Sequence, residues 1–343
     1  MFDGSERSSP RFLIAGQLTR DFALFPNGRA RLDVPGGNLL YAAAGLAVWE
    51  PDPPPGLIAR VGKDYPQPWL ADFQRRGFDT RGIHILPDDV DLRYFYVYTD
   101  RTTRVYDNPI AHFARLGLPF PKVLFDYQAK TGQIDSRTRL SPIAPRQTDF
   151  LPEYLDATAV HLCPIDYLSH CLLPTIFRQA GFTTVTLDPS AGYMNPFLRD
   201  FVPSLITGLT AFLTSEDDLR SLFQGRTTDI WEMSDALASH GCEIIVIKRG
   251  ARGQLLFDRS THTRWEILPY PAQIVDVTGA GDAFCGGFLA GYRRTYDPLL
   301  AVLHGNISAS FTCEGFDPLY AKDALAGLAA ARLEVVRQSV RKV

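Results

Sequence analysis

From residue 157 onward, short apolar runs alternate with stretches whose apolar residues recur at helical spacing. ATAVHLCPI (157–165), TTVTLDPS (183–190), the segment SLITGLTAFLTS (204–215), CEIIVIKRG (242–250) and GQLLFDR (253–259) each carry a strand pattern. SHCLLPTIFRQAG (169–181), SEDDLRSLF (215–223) and DIWEMSDALASHG (229–241) read as the helices between them. Strand and helix in this order predict a mostly parallel sheet covered by helices on both faces, an α/β fold. The same alternation opens the chain. RFLIAG (11–16) and LIARVG (57–62) are strands, while NLLYAAAGLAVW (38–49) and QPWLADFQRRG (67–77) are helices. Two hairpins interrupt it. ALFPNGRARLDVPGG (23–37) turns at Pro-Asn-Gly, and VDLRYFYVYTD (90–100) is followed closely by TTRVYDN (102–108). From about 107 to 150 the pattern breaks down among many Pro and Arg residues, and this insertion has no readable fold. Residues 1–10 read as a loose, flexible tail, and 11–343 as one domain.

Charge and cysteine content narrow the function classes. The formal net charge is −3 and there is no dense Lys/Arg run, so neither nucleic acid nor an anionic membrane is the expected partner. No apolar run is long enough to span a bilayer, which takes roughly 18 residues or more. The five cysteines are odd in number and contain no C-x-x-C pair, which argues against a disulfide framework or a zinc site and for a cytoplasmic protein.

The segment IVDVTGAGDAFCGGFLAGY (274–292) places two glycines and an aspartate between a β-branched run and an apolar helix pattern. QIVDV (273–277) should be strand or extended, so Thr278, Gly279, Ala280 and Gly281 fall at a helix N-terminus. Unpaired backbone N–H groups there attract anions, and glycine lets an anion approach. Asp282 in the first turn is either a helix cap or a functional carboxylate beside that anion site. Other phosphate-binding devices fail. Gly62-Lys63-Asp64 lacks the Ser or Thr of a P-loop, and the G-x-G at 279–281 is followed by Phe284 where the dinucleotide fingerprint needs Gly.

DVTGAGDAFCGGFLAGY closely resembles the C-terminal signature of the ribokinase-like (PfkB-type) carbohydrate kinase family. Gly36-Gly37 before an Ala-rich helix, ARVGKD (59–64), VIKRGARG (246–253) and HGNISASFTCEG (304–315) are similar to further family segments, in the family's order. The resemblance runs from about residue 11 to about 325 and is weak across 107–150. It implies a three-layer α/β/α fold with a mostly parallel central sheet and a small β-sheet lid, formed by the hairpins near 23–35 and 90–107. It implies an ATP-dependent kinase that phosphorylates a hydroxyl of a small molecule, commonly a sugar, with Mg2+ neutralising charge on ATP.

Residue by residue, Asp282 matches the catalytic aspartate, and the amides of Gly279, Ala280 and Gly281 match the anion hole over the γ-phosphate. Thr278 could add a hydroxyl donor on the nucleotide side. Asp276 matches the signature's leading Asp and reads equally well as a loop-holding residue. Lys248, Gly250 and Gly253 match the segment beneath the nucleotide, although Lys248 also reads as a solvated strand end. Asn306 matches a position facing adenine or ribose, or is simple helix-surface polarity. Asp21 matches the aspartate that binds substrate hydroxyls, with Gly36, Gly37 and Asn38 at the substrate side. The family's Asn is Tyr41 here, either an aromatic wall for a bulkier or less polar substrate or a core residue. The family's N-x-x-E segment is Thr214-Ser215-Glu216-Asp217, so both motif positions depart from it. Glu216 or Asp217 is the expected metal ligand, unless both only complement the helix dipole. The lid's Tyr and Phe residues could exclude water or pair two subunits as a homodimer. Two alternatives stay open: a nucleoside kinase, and a family member without catalysis that binds nucleotide or ligand as a regulator.

Overall fold

The computed structural model describes residues 9–129 and 132–343, so most of the tail expected over 1–10 lies outside the described residues. In the N-terminal part the chain runs through β1 (Phe12–Ala15), β2 (Thr19–Leu24), β3 (Ala30–Gly36), α1 (Asn38–Ala47), β4 (Gly56–Val61), α2 (Gln67–Arg75), β5 (Asp79–Ile85), β6 (Arg93–Tyr98), β7 (Arg104–Val105) and α3 (Pro109–Arg115). It continues through β8 (Ala159–Leu162), α4 (Tyr167–Gln179), β9 (Thr184–Leu187), α5 (Val202–Ile206), β10 (Ala211–Ser215), α6 (Glu216–Leu222), α7 (Ile230–Ala238) and β11 (Ile244–Lys248). The last elements are β12 (Gln254–Asp258), β13 (Thr263–Ile267), α8 (Ala280–Thr295), α9 (Pro298–Glu314), α10 (Ala326–Arg337) and β14 (Val340–Lys342).

Ten strands form the large sheet in the order β14-β13-β12-β11-β10-β9-β8-β1-β4-β5. Pairing is parallel from β5 across to β11 and antiparallel beyond it. The parallel strands are short and apolar because both faces are covered. One face packs against α1, α8 and α9 through residues such as Leu39, Phe284, Phe288 and Ile307, and the other against α4 to α7 through Phe177, Leu205, Leu219 and Leu237. These are the three layers expected. Fully buried side chains of this size contribute about 2–3 kcal/mol each relative to exposure. The glycine pair inside α8 has a packing cause: a Cβ on Gly286 would stand 1.8 Å from the carbonyl oxygen of Ala42. The helices α1 and α8 therefore cross backbone against backbone, which brings the N-terminus of α8 close to α1.

The two hairpins join into one separate sheet, β3-β2-β6-β7, through parallel pairing of β2 with β6. The insertion has a use that its sequence hid. Phe22, Leu24, Phe95 and Val97 on the lid's outer face are covered by Phe113, Leu124 and neighbouring residues between 109 and 127. These apolar side chains of the lid are thus covered by this chain itself. Residues 273–277 form no strand; the amides of Val275 and Asp276 both donate to the carbonyl of Cys313, at 2.8 and 3.2 Å, at the end of α9. β13, the strand that precedes the QIVDV run in the chain, already has β12 and β14 on its two sides, so the run cannot pair beside it. Among the described residues no helix is long and apolar enough to cross a membrane.

Candidate active site

The order of the sheet reverses at β1, from which the chain moves outward to β4 and β5 and then returns to β8 on the other side. Ligands of open α/β sheets bind at the carboxyl ends of strands beside such a reversal. Asp188 directly follows β9, Ser215 ends β10 and Lys248 ends β11, with Ser215 and Lys248 in register. The N-terminus of α8 faces the same edge.

Gly279 caps α8 with φ of 73°, a left-handed conformation that favours glycine. The amide of Ala280 is occupied by the Val277 carbonyl at 3.2 Å, whereas among the described residues the amides of Gly279 and Gly281 have no backbone acceptor. Two of the three amides expected to form an anion hole are therefore available, and Ala280 is the exception, because its N–H closes the turn. Asp282 is partly accessible. Burial raises its carboxyl above the ordinary value, and Lys248 and Arg104 pull it back down.

Lys248 is not a solvated strand end. Its ammonium donates to Asp188, lies 3.4 Å from Cys285 Sγ, and comes within 3.7 Å of where a Cβ on Gly281 would be. Burial alone would favour the neutral amine, but Asp188, Cys285 and Asp282 hold it protonated, above the usual lysine range. Burial likewise raises Asp188, against the pull of Lys248. A lysine surrounded by acids beside an amide-lined turn is suited to an anion that arrives with its own cation.

The acidic turn of α6 resolves differently from expectation. Glu216 is buried, and both its oxygens are taken, one by Arg220 at 2.7 Å and the other by Arg252 at 2.6 Å. Asp217 is exposed. Asp218, not considered in the sequence reading, is the acid turned towards Lys248. Its amide donates to Ser215 Oγ at 3.0 Å, and Ser215 Oγ donates to its Oδ2 at 2.7 Å. Burial raises Asp218, while Ser215 and Lys248 lower it. Hard carboxylate oxygens suit Mg2+, which usually takes one or two such ligands and completes its shell with water and phosphate. Asp218 and Asp188 fit that pattern. Among the described residues no group of three or more His, Cys, Asp and Glu side chains could hold a metal alone.

Several polar residues read as ligand contacts are instead used inside the protein. Asn38 accepts from the amide of Gln17 and donates to the carbonyl of Pro164, both at 2.8 Å, and so ties the ends of β1 and β8. Asn306 donates to Gln254 at 2.8 Å and to Leu268 at 2.9 Å, and accepts from the amide of Tyr270 at 2.9 Å. It is buried rather than on the helix surface, and it fastens the 268–270 loop to α9. Thr278 Oγ1 donates to Asp276 at 2.7 Å and lies 2.8 Å from the hydroxyl of Tyr98, so Tyr98 is the donor of that pair. Gly253 faces Ile267 backbone rather than a cleft, and Gly250 stands in an open turn at 250–252.

On the lid side, Asp21 is 3 % exposed. It accepts from Thr19 at 2.5 Å and from Tyr96 at 3.2 Å, and a Cβ on Gly36 would fall 2.3 Å from its Cγ. Burial raises its carboxyl, eased by Thr19 and Arg31. Gly37 caps α1 against the carbonyl of Gln17. Tyr41 is buried, its ring against Gly279 and its hydroxyl 3.3 Å from Arg31 Nη1. Of its two readings, the packed one holds. Arg31 was also missed by sequence. Its guanidinium donates to Tyr96 at 2.5 Å and the Phe316 carbonyl at 3.0 Å, and pairs with Asp276 at 3.2 Å. The inner face of the lid presents Tyr94, Tyr96 and Tyr98, with Arg104 lying over the rings of Tyr96, Tyr98 and Tyr106.

Residues 153–321 match the family described as pfkB family carbohydrate kinase. A cytidine kinase of Thermococcus kodakarensis is 30 % identical over 287 residues, covering 82 % of this chain and 88 % of that protein. The 2-dehydro-3-deoxygluconokinase of Haemophilus influenzae is 27 % identical over 131 residues, 38 % of this chain and 41 % of its own. Among solved structures, an E. coli protein assigned as ribokinase II, in complex with ATP and Mg2+, superposes with a TM-score of 0.70 at 16 % identity, over 95 % of this chain and 99 % of the other. A Burkholderia thailandensis nucleoside kinase in complex with inosine gives 0.69 at 17 % identity, over 94 % and 97 %. At such identities the structural likeness speaks for the ribokinase-like fold alone. The cytidine kinase, matched along most of both chains, carries the relationship further: the chain belongs to the pfkB family of carbohydrate kinases, enzymes that transfer a phosphoryl group to a hydroxyl.

Proposed function

We propose that this kinase takes its phosphoryl group from ATP and delivers it to the hydroxyl of a nucleoside. The observation that carries the transfer is the pairing, within one helical turn, of free backbone amides at Gly279 and Gly281 with the carboxylate of Asp282. Amides aimed at a fixed point stabilise the charge of a moving phosphoryl group. An aspartate is too weak a base to ionise a free alcohol, but phosphoryl transfer is loose and the proton leaves late. Asp282 therefore first orients the acceptor oxygen and then receives its proton at a carboxylate oxygen. Lys248 keeps Asp282 ionised and adds positive charge beside the turn. Asp218 and Asp188 are the residues that would hold Mg2+, which neutralises charge on the phosphates of ATP. Asp21, once uncovered, is the acceptor-side carboxylate.

A nucleoside is favoured over a simple sugar by two observations. The relative matched along 82 % of this chain is a cytidine kinase. The lid's inner face is lined by tyrosines, flat apolar rings on which a base can lie. A sugar acid is the second reading, supported by Arg104 among those rings, where a carboxylate could meet it. Cytoplasmic residence, with five unpaired cysteines, belongs to the same proposal. The test is ATP consumption with cytidine, the other nucleosides, ribose and sugar acids. Turnover with nucleosides supports the reading, and turnover restricted to sugar acids replaces it. Silence across the panel with ATP still bound favours a regulator.

A further inference from the structure

The lid and the glycine turn are joined by side chains: the contacts of Arg31 with Asp276 and of Tyr98 with Thr278 cross from one to the other, and both break if the lid lifts. Arg31 reaches from β3 and Tyr98 from β6; Asp276 and Thr278 stand on the turn before α8. Asp276 Oδ1 accepts both the amide and the hydroxyl of Thr278, at 2.9 and 2.7 Å, which fixes the chain just ahead of Gly279. Its Oδ2 faces Arg31 at 3.2 Å, with side-chain exposures of 5 % for Arg31 and 3 % for Asp276. Tyr98 completes the junction by donating to Thr278. On its other side Arg31 donates to Tyr96, and Tyr96 donates to Asp21. One chain of hydrogen bonds thus runs from the acceptor-side carboxylate to the anion-binding turn.

The electrostatics give that chain a direction. Asp276 is a negative charge three residues before the turn's first glycine. With the lid down it is neutralised by Arg31. With the lid lifted the carboxylate loses that cation, and its charge opposes an anion arriving at Gly279 and Gly281. The lid-down state is therefore the one that binds a phosphate better, and a ligand shifts an equilibrium by its difference in affinity for the two states. The lid must lift for an acceptor to reach Asp21, which lies almost wholly covered here. We propose that Arg31 and Tyr98 are positioning residues that make lid closure and assembly of the anion-binding turn one event, so that ATP and acceptor each favour the binding of the other. Linkage requires this effect to be reciprocal. The proposal rests on the kinase reading of the site.

Hydrogen exchange tests it without an acceptor. With Mg2+ and the non-hydrolysable analogue AMPPNP, the native protein should show slowed exchange at residues 276–282 and also across β2, β3 and β6. Arg31→Met alone strands a buried carboxylate, so it is combined with Asp276→Asn; Tyr98→Phe strands no charge and serves as the second arm. In both variants protection should persist at 276–282 and disappear from the lid. With cytidine as acceptor, the KM for ATP should fall as cytidine rises in the native enzyme and not in R31M/D276N. The kcat of the double variant should drop about a hundredfold, the scale of a small misplacement at a reacting centre. Arg31→Lys, which keeps the charge but not the forked donors, should recover part of the lid protection. Protection confined to 276–282 in the native protein, or shared protection surviving in both variants, would overturn the coupling. Absence of any protection in the native protein would remove the kinase reading itself, and the coupling with it.

Discussion

The ring of Tyr41 lies against Gly279, so closely that a Cβ on the glycine would stand 2.0 Å from Tyr41 Cγ. The aromatic residue that replaces an expected asparagine on α1 thus forms the bed of the glycine turn. Its hydroxyl is held by Arg31, so the bed is itself anchored to the lid.

Gly279→Ala should be among the most damaging single changes. A methyl group there meets the Tyr41 ring, and the left-handed φ of 73° adds about 1–2 kcal/mol of backbone strain for any other residue. We expect a lowered Tm and loss of most of kcat. Adding Tyr41→Ala should restore part of the stability by removing the clash, but little activity. Full activity in G279A would mean that the turn does not bind the phosphoryl group.

Asp282→Asn keeps the shape of the side chain and removes the base. Positioned general-base groups contribute roughly 100- to 10,000-fold to rate. We expect a kcat loss in that range, with ATP affinity, read by calorimetry, changed only a few-fold. Turnover retained by this variant would reassign the catalytic carboxylate.

The acid side of the pH–rate profile should lie above the ordinary aspartate range, because burial raises Asp282 and ionised Asp282 is the active form. Lys248 lowers that carboxyl, so Lys248→Met should move the acid limb to still higher pH. Stability follows the same sign. Asp188, Asp218 and Asp282 all have folded values raised above their unfolded ones, so each takes up protons more readily when folded. Their contribution is greatest below the ordinary carboxylate pKa and is lost as pH rises through the raised values. The Tm of K248M should therefore increase on mild acidification, and an unmoved acid limb would show that Lys248 does not set the charge of Asp282.

Asp218→Asn should raise the Mg2+ concentration needed for half-maximal rate by roughly tenfold or more, the loss typical of a weakened metal site. Asp217→Asn should leave it unchanged, since that side chain points into solvent. Glu216→Gln should act on stability instead, by loosening Arg220 and Arg252. An equal metal requirement in D217N and D218N would remove Asp218 from the metal site.

Asn306→Ala should lower Tm while leaving kcat close to native. Three hydrogen bonds disappear, and Gln254, which is buried, is left without its partner, at about 1–3 kcal/mol for a buried group left unsatisfied; the backbone groups at Leu268 and Tyr270 are only partly buried and cost less. A loss of ATP affinity with no change in Tm would instead restore the expectation that Asn306 touches the nucleotide.

The legible parts of the site were those fixed by local chain chemistry. Gly279, Gly281 and Asp282 announce a helix N-terminus open to an anion because glycines, an acid and an apolar helix pattern are adjacent in sequence. Asp188 and Asp218 were not read, although Asp188 directly follows an apolar run and Ser215 is a capping residue three positions before Asp218. Those two signals could have found them. Asn38, Asn306 and Thr278 misled for the opposite reason. Each is a polar residue near a motif, and whether its hydrogen bonds serve a ligand or the protein depends on partners as much as 180 positions away, as Tyr98 is from Thr278.

The sequence by itself determined the alternation that makes a parallel α/β sheet, the two hairpins and the glycine turn at α8, because these follow from the spacing of apolar residues and from backbone freedom within short windows. Only the tertiary structure decided that residues 109–127 cover the lid, that Lys248 stands among three acids, and that Arg31 on the lid neutralises Asp276 at the turn. Burial and charge pairing are properties of groups brought together across the fold, and a local pattern along the chain carries no record of which distant group will meet them.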